Sequence, residues 1–284
     1  MADRAQTDGI EIVAGTSTYS GLELIEARPE AGEGTGPPLL FVHGAAHGAW
    51  CWRDWMEEAA RRGHHAFALS LRGHGGSPGS LLSGRLSTYS EDVRLTAASL
   101  PAPPVLIGHS LGGLVVQKAA EGYPAAGIVL VAPIPARPGF GTLYRIATAN
   151  PADFAKISFG GSLPMRPEYL FRELEPDEAA RWSAMCGKES PVAQLQVLLH
   201  RPPAEPRGRP PVLVIGSPDD ALIPIGDVRD TARRLSAELF EYPGTGHDLM
   251  LDGSRAEVGE AMLDWIETRV DEARPGRFLP EPKV

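Results

Sequence analysis

Cysteine is scarce in this chain: its 284 residues hold two, Cys51 and Cys186, with no C-x-x-C spacing. That excludes a disulfide framework and a cysteine zinc site, and a reducing, cytoplasmic setting is expected. Basic charge is short as well. Lys and Arg number 27 against 36 Asp and Glu, a net of −9, and no basic cluster offsets the excess. Nucleic acid and anionic membrane surfaces are therefore not expected partners. Long apolar runs are missing too. The longest uncharged stretch, residues 95–117, carries Pro101, Pro103, Pro104, Gly108, Gly112 and Gly113, which break a lipid-facing helix, so no membrane insertion is expected. Residues 1–16 mix Asp3, Arg4, Asp8 and Glu11 without an apolar segment and do not read as a secretory leader. No repeat of solenoid length is visible.

What remains is a globular composition, 43% apolar and 22% charged, of a length that suits one large α/β domain or two units of roughly 150 residues. Short apolar runs alternate with longer amphipathic segments, the pattern of a mostly parallel sheet flanked by helices. Strands are expected at residues 22–27, 39–42, 65–69, 105–107, 127–131, 212–215 and 238–242, and helices at 52–62, 89–100, 111–123, 225–235 and 254–273. Gly/Pro-rich residues 31–38 read as a loop. Far more chain separates the strands at 127–131 and 212–215 than the dozen or so residues a crossover needs. Residues 133–210 are thus expected to be an inserted helical cap on a core of 1–132 and 211–284. Its aromatics, Phe140, Tyr144, Phe154, Phe159, Tyr169, Phe171 and Trp182, either glue the cap to the core or also line a pocket.

The strongest chemical signal is Gly108-His109-Ser110-Leu111-Gly112-Gly113, which follows an apolar strand and opens a helix. A G-x-S-x-G sequence in that context is a sharp strand-to-helix elbow whose flanking glycines avoid a clash and whose serine is exposed. The helix N-terminus directs backbone N–H groups at a forming anion, and Leu111 is the natural first oxyanion donor. A serine hydroxyl needs a base, and the base needs an orienting acid. His247, in Gly244-Thr245-Gly246-His247-Asp248 after the last strand, is the expected base. The acid falls at Asp219-Asp220 after the strand at 212–215; Asp220 is preferred because Ala221 to Ile223 should fix its direction, and Asp219 stays open. Asp248 is too close in sequence to bond the same ring. A second oxyanion donor is assigned to Ala45, in the turn His43-Gly44-Ala45-Ala46-His47-Gly48. His43 and His47 are expected to make structural hydrogen bonds; Gly44 and Gly48 argue against the helix that a metal-binding pair at this spacing needs, so no metal is expected. His64, His65, His74 and His200 read as surface or loop residues.

The order serine, acid, histidine, the Phe41-Val42-His43-Gly44 turn and the Leu71-Arg72-Gly73-His74-Gly75-Gly76-Ser77 stretch closely resemble the α/β-hydrolase superfamily over nearly the whole chain. Residues 43–52 are similar to the plant methylesterase and hydroxynitrile lyase branch and its bacterial relatives. The resemblance implies Ser110 as nucleophile, Asp220 as acid, His247 as base, and Ala45 and Leu111 as oxyanion donors. Hydroxynitrile lyases typically carry threonine where this chain has Gly44 and lysine where it has Asp248, and both departures favour an esterase. Ser110 disfavours the aspartate-nucleophile dehalogenases and epoxide hydrolases.

The expected function is a cytosolic serine hydrolase that cleaves a carboxylic ester, thioester or lactone of an apolar small molecule through an acyl-enzyme, with no cofactor. Arg145, Lys156, Arg166 and Arg172 are either anchors for a polar end of the substrate or solvated helix-face charges. A lyase, acyltransferase or cyclase using the same residues as acid and base is the alternative, followed by a ligand-binding receptor on a retired scaffold. Tyr19, Trp50 and residues 1–10 have no catalytic reading.

Overall fold

The computed structural model describes residues 4–7, 10–17, 20–29, 34 and 36–271. Nine strands form one sheet: β1 (Arg4–Thr7), β2 (Ile10–Thr16), β3 (Glu23–Arg28), β4 (Leu39–Val42), β5 (Ala66–Leu69), β6 (Val105–His109), β7 (Gly127–Val131), β8 (Val212–Gly216) and β9 (Glu238–Glu241). Their order is β1-β2-β3-β5-β4-β6-β7-β8-β9. The first three strands and β5 pair antiparallel, and every pairing from β5 through β9 is parallel. This is the mostly parallel α/β architecture that the alternation of runs implied.

Burial explains which runs became inner strands. Strands β4, β5, β6, β7 and β8 are buried along their whole length, as sequences apolar at every position must be when helices cover both faces. Strands β4 and β7 and helix α9 (Ile225–Leu235) fall at the expected residues. The helix expected at 52–62 begins with a 3-10 turn at Ala49–Trp52 before α1 (Arg53–Arg61). The one expected at 254–273 is α10 (Arg255–Ile266) followed by a π turn at Glu267–Asp271, and residues 272–273 lie outside the described residues. Of the expected loop at 31–38, residues 31–33 and 35 also lie outside them. Strands β1 and β2 were not expected: the period-two placement of Ile10 and Ile12, both buried, sits among charges that hide it.

Between β6 and β7 runs α3 (Leu111–Ala120), preceded by α2 (Leu86–Ser99). Five helices separate β7 from β8: α4 (Phe140–Ala149), α5 (Pro151–Ser158), α6 (Pro167–Leu170), α7 (Pro176–Met185) and α8 (Pro191–Leu199). Four of them open on proline, which suits the first helical turn because its missing N–H has no partner there anyway. Four of the prolines that punctuate this stretch, Pro151, Pro167, Pro176 and Pro191, are thus helix starts. No helix among the described residues is long and apolar enough to cross a membrane.

The elbow is held by close packing. A Cβ on Gly112 would lie 2.4 Å from the carbonyl oxygens of both Val42 and His43, and one on Gly108 would lie 2.6 Å from the carbonyl of Gly112. Helix propensity alone would make Gly112→Ala stabilising by up to about 1 kcal/mol. The clash reverses the sign, and the variant should unfold at lower denaturant with a loss of about 3 kcal/mol. A midpoint at or above wild type would show that the two loops do not pack this closely.

Candidate active site

Each candidate residue follows the carboxyl end of a parallel strand, where open α/β sheets place their ligands. Ala45 follows β4, Ser110 follows β6, Asp220 follows β8 and His247 follows β9. Ser110 caps α3 with φ 50° and ψ −115°. This strained conformation is fixed by its own N–H donating to Val131 O at 2.9 Å and its carbonyl accepting from Ile134 N at 3.0 Å. The turn thrusts the hydroxyl toward a cavity of about 110 Å³ that Ala45, Leu111 and His247 also line. Leu111 is the first residue of α3, and N–H groups in the first helical turn have no intrahelical acceptor.

Asp220 reaches the cavity through His247. Its Oδ2 lies 2.7 Å from His247 Nδ1, while Oδ1 accepts the N–H groups of Leu222 at 2.7 Å and Ile223 at 3.0 Å. The apolar stretch after the acid fixes its direction through those two amides. Asp219 turns away, accepting from Gly244 N at 2.8 Å, so it ties the histidine loop without touching the ring. Burial alone would lower the His247 pKa, but the charge and hydrogen bond of Asp220 outweigh it and leave the ring above 6.5.

The other histidines are more deeply engaged than their sequence context suggested. His64, His74 and His200 sit in loops, as expected, but are buried there rather than on the surface, because each ring finds a partner: Glu267, Glu189 and Ala136 O respectively. His43 makes the expected structural bonds, donating from Nδ1 to Gly44 O at 2.7 Å and accepting Leu71 N on Nε2 at 2.9 Å. His109 donates from Nε2 to His247 O at 3.1 Å, and burial together with the neighbouring His247 pushes its pKa down to about 3, so the ring is neutral. His47 donates to Ala45 O from Nδ1 at 2.8 Å and to Asp248 Oδ2 from Nε2 at 2.9 Å. Burial opposes charging it, yet Asp248 raises its pKa well above 6.5 and is itself lowered by His47, so the two form a buried ion pair. His47 thus has the expected structural hydrogen-bonding role, but its partner, Asp248 beside His247, was not foreseen.

The cavity wall decides two alternatives that the sequence left open. None of the seven aromatics considered for the pocket lines it; the lining from that stretch is mainly aliphatic, including Leu143, Ile146, Ile157, Leu163, Met165 and Val197, with Thr142, Glu189 and Gln194 as its polar members. Phe140, Tyr144 and Phe159 are exposed, Tyr169 donates to Asp153, and Trp182 stacks on Trp50 with centroids 5.9 Å apart and planes 3° from parallel. Nor do Arg145, Lys156, Arg166 or Arg172 line it. Arg145 donates to the carbonyl of Asp220, Arg172 donates to that of Asp219 at 3.0 Å, and Arg166 pairs with Asp153 at 2.6 Å. The first two tie the helical segment to the acid loop. Glu189, which sequence reasoning missed, does face the cavity.

Comparison with known proteins places this geometry. A probable esterase of Oryza sativa subsp. indica, PIR7A, is 40% identical over 111 residues, covering 37% of this chain and 42% of that protein. Methylesterase 1 of Arabidopsis thaliana is 30% identical over 142 residues, 49% of this chain and 51% of that protein. The chain thus spans about half or less of the curated relatives it matches. The monoacylglycerol lipase of Paleococcus ferrophilus superposes with a TM-score of 0.67 at 24% identity, over 87% of this chain and 100% of that one. A thermophilic esterase from Thermogutta terrifontis gives 0.68 at 24% identity, over 94% and 100%. At that identity the likeness speaks for the fold alone. The sequence profile described as "Alpha/beta hydrolase family" matches residues 39–261, from strand β4 to the helix after His247, and to that family this chain belongs.

Proposed function

We propose that the protein is a serine hydrolase that cleaves a carboxylic ester, thioester or lactone of an apolar small molecule through an acyl-enzyme on Ser110. The observation that carries this is the convergence of Ser110 and His247 on one aliphatic cavity, with the His247 ring locked on Asp220 at 2.7 Å. Because Nδ1 donates to Asp220, Nε2 is the free base. It takes the proton of Ser110 as Oγ bonds the substrate carbonyl carbon, and the resulting oxyanion rests on the N–H groups of Ala45 and Leu111. Collapse breaks the bond to the alcohol or thiol, which leaves with the proton from His247. Water, activated by the same ring, then releases the acid and restores Ser110.

In this scheme residues 133–210 act as a helical cap on a core formed by 1–132 and 211–284, supplying the aliphatic wall and keeping bulk water from the acyl-enzyme. Gly44 favours hydrolysis over cyanohydrin cleavage. A Cβ there would lie 2.6 Å from His109 Nδ1 and 3.1 Å from Ser110 Cβ, so the threonine typical of hydroxynitrile lyases does not fit this turn. Free thiols at Cys51 and Cys186 suit a cytoplasmic enzyme.

A fluorophosphonate probe tests the proposal on the wild-type protein. It should phosphonylate Ser110, identified by peptide mass spectrometry. Only neutral His247 can accept the proton, and its pKa lies above 6.5, so labelling should be slow at acid pH and accelerate as pH rises through that value. No adduct in the folded protein, or a rate flat from acid to alkaline pH, would remove the activated serine and with it the hydrolase.

A further inference from the structure

We propose that Glu189 is a positioning residue for the oxyanion hole: a carboxylate carried by the segment between α7 and α8 holds the turn that presents Ala45, so the hole is complete only when that helical segment is seated. This rests on the serine-hydrolase function proposed above. Glu189 is 2% exposed and lies on the cavity wall. Its Oε2 accepts Ala46 N at 3.2 Å and His74 Nε2 at 3.1 Å; its Oε1 accepts Tyr89 OH at 2.8 Å and Ser190 N at 2.7 Å. A carboxylate offers about four lone-pair sites, and here each oxygen already serves two donors. Nothing is left for a substrate, so Glu189 is neither a substrate anchor nor a base, despite facing the cavity.

What it does serve is Ala46. That residue sits at φ 62°, in the left-handed region that an L side chain rarely adopts and that persists only where surroundings enforce it. Both of its backbone polar groups are held from the same segment: its N–H by Glu189, and its carbonyl by Gly187 N at 2.7 Å. On the other side the Ala45 carbonyl is held by His47, whose ring is anchored on Asp248 beside the catalytic histidine. The Ala45–Ala46 backbone is therefore fixed from two independent directions, one belonging to the sheet loops and one to the helical segment. Releasing the second lets the Ala45 N–H drift from the place where the oxyanion forms. Displacements on the ångström scale at such a donor reduce turnover by up to about a hundredfold while leaving ground-state binding largely intact.

The test compares wild type with Glu189→Ala and Glu189→Gln using p-nitrophenyl butyrate, together with hydrogen–deuterium exchange over residues 43–48. Glu189→Ala should lower kcat by about ten- to a hundredfold and change KM by less than about threefold. It also vacates a hole rimmed by the Ala46 N–H, His74 and Tyr89, so added sodium formate should restore part of the lost kcat while leaving the wild type unchanged. Exchange across the turn should quicken in both variants. A folded Glu189→Ala enzyme with wild-type kcat, or one raised only in KM, overturns the proposal, as does a loss that formate does not touch. If Glu189→Ala does not fold, Glu189→Gln decides on the same kcat and exchange readouts. If the wild type takes no fluorophosphonate label, the hydrolase function falls, while exchange at residues 43–48 still reports whether Glu189 orders the turn.

Discussion

Ser110→Ala should lower ester turnover by about a millionfold, and His247→Ala by a similar factor, with the double variant scarcely worse than either. The non-additivity follows from the site: His247 has no proton to take once Oγ is gone, and Oγ has no base once the ring is gone. Ser110→Ala should not unfold the protein, because the backbone bonds of Ser110 to Val131 and Ile134 do not use its hydroxyl, whereas His247→Ala leaves Asp220 buried without its ring and should lower stability. The empty site should still exceed the uncatalysed rate by roughly 10³- to 10⁴-fold, since the Ala45 and Leu111 donors remain. Steady-state kinetics on a p-nitrophenyl ester, with circular dichroism to verify folding, measures this. A Ser110→Ala protein that keeps more than about one-thousandth of wild-type kcat would mean that the serine is not the nucleophile.

Asp220→Asn should cost about 10⁴-fold in kcat, whereas Asp219→Asn should stay within about threefold of wild type. The adjacent pair makes a sharp comparison, since the two side chains have equal size and charge and differ only in what they hold. An amide at 220 that keeps its oxygen on the Leu222 and Ile223 N–H groups turns its NH₂ toward His247 Nδ1, stabilising the tautomer with Nε2–H, which cannot take a proton from Ser110. It also removes the charge that lifts the His247 pKa, so the acid limb of the residual activity should move downward. Asparagine at 219 loses only a charged acceptor for Gly244 N, at an exposed bond. If Asp219→Asn proved the more damaging, the roles of the two acids would have to be exchanged.

The positions of the candidate residues in the fold were legible because their signals are local. Ser110 announces itself by two glycines, Gly112 required by the carbonyls of Val42 and His43 and Gly108 by that of Gly112, and His247 by a Gly-rich loop after a strand. The inner strands were legible because burial on both faces leaves no polar position to confuse the pattern. What stayed hidden is held by long-range contacts. The donors to Glu189 from Ala46, His74 and Tyr89 stand 143, 115 and 100 residues away in sequence, and no window around Lys188-Glu189-Ser190 can reveal them. The burial of the loop histidines was hidden for the same reason: a ring becomes an interior residue when a distant carboxylate or carbonyl meets it. The cavity wall was open to two interpretations because composition says which side chains a segment owns and not which way its helices turn them.

Strands β7 and β8 are neighbours in the sheet, paired from Ile128 with Val212 to Val131 with Ile215, yet all five helices from α4 to α8 lie between them. The ends of that long excursion are already fixed side by side by the ladder. Closing a loop grows costlier only slowly with its length, by about 0.6 kcal/mol per doubling. The excursion can therefore be lengthened, shortened or exchanged with little penalty to the sheet that carries Ser110. The bonds from Arg145, Arg172, Gly187 and Glu189 to the loops that carry Asp220 and Ala45 are among the contacts that any exchanged excursion would have to remake.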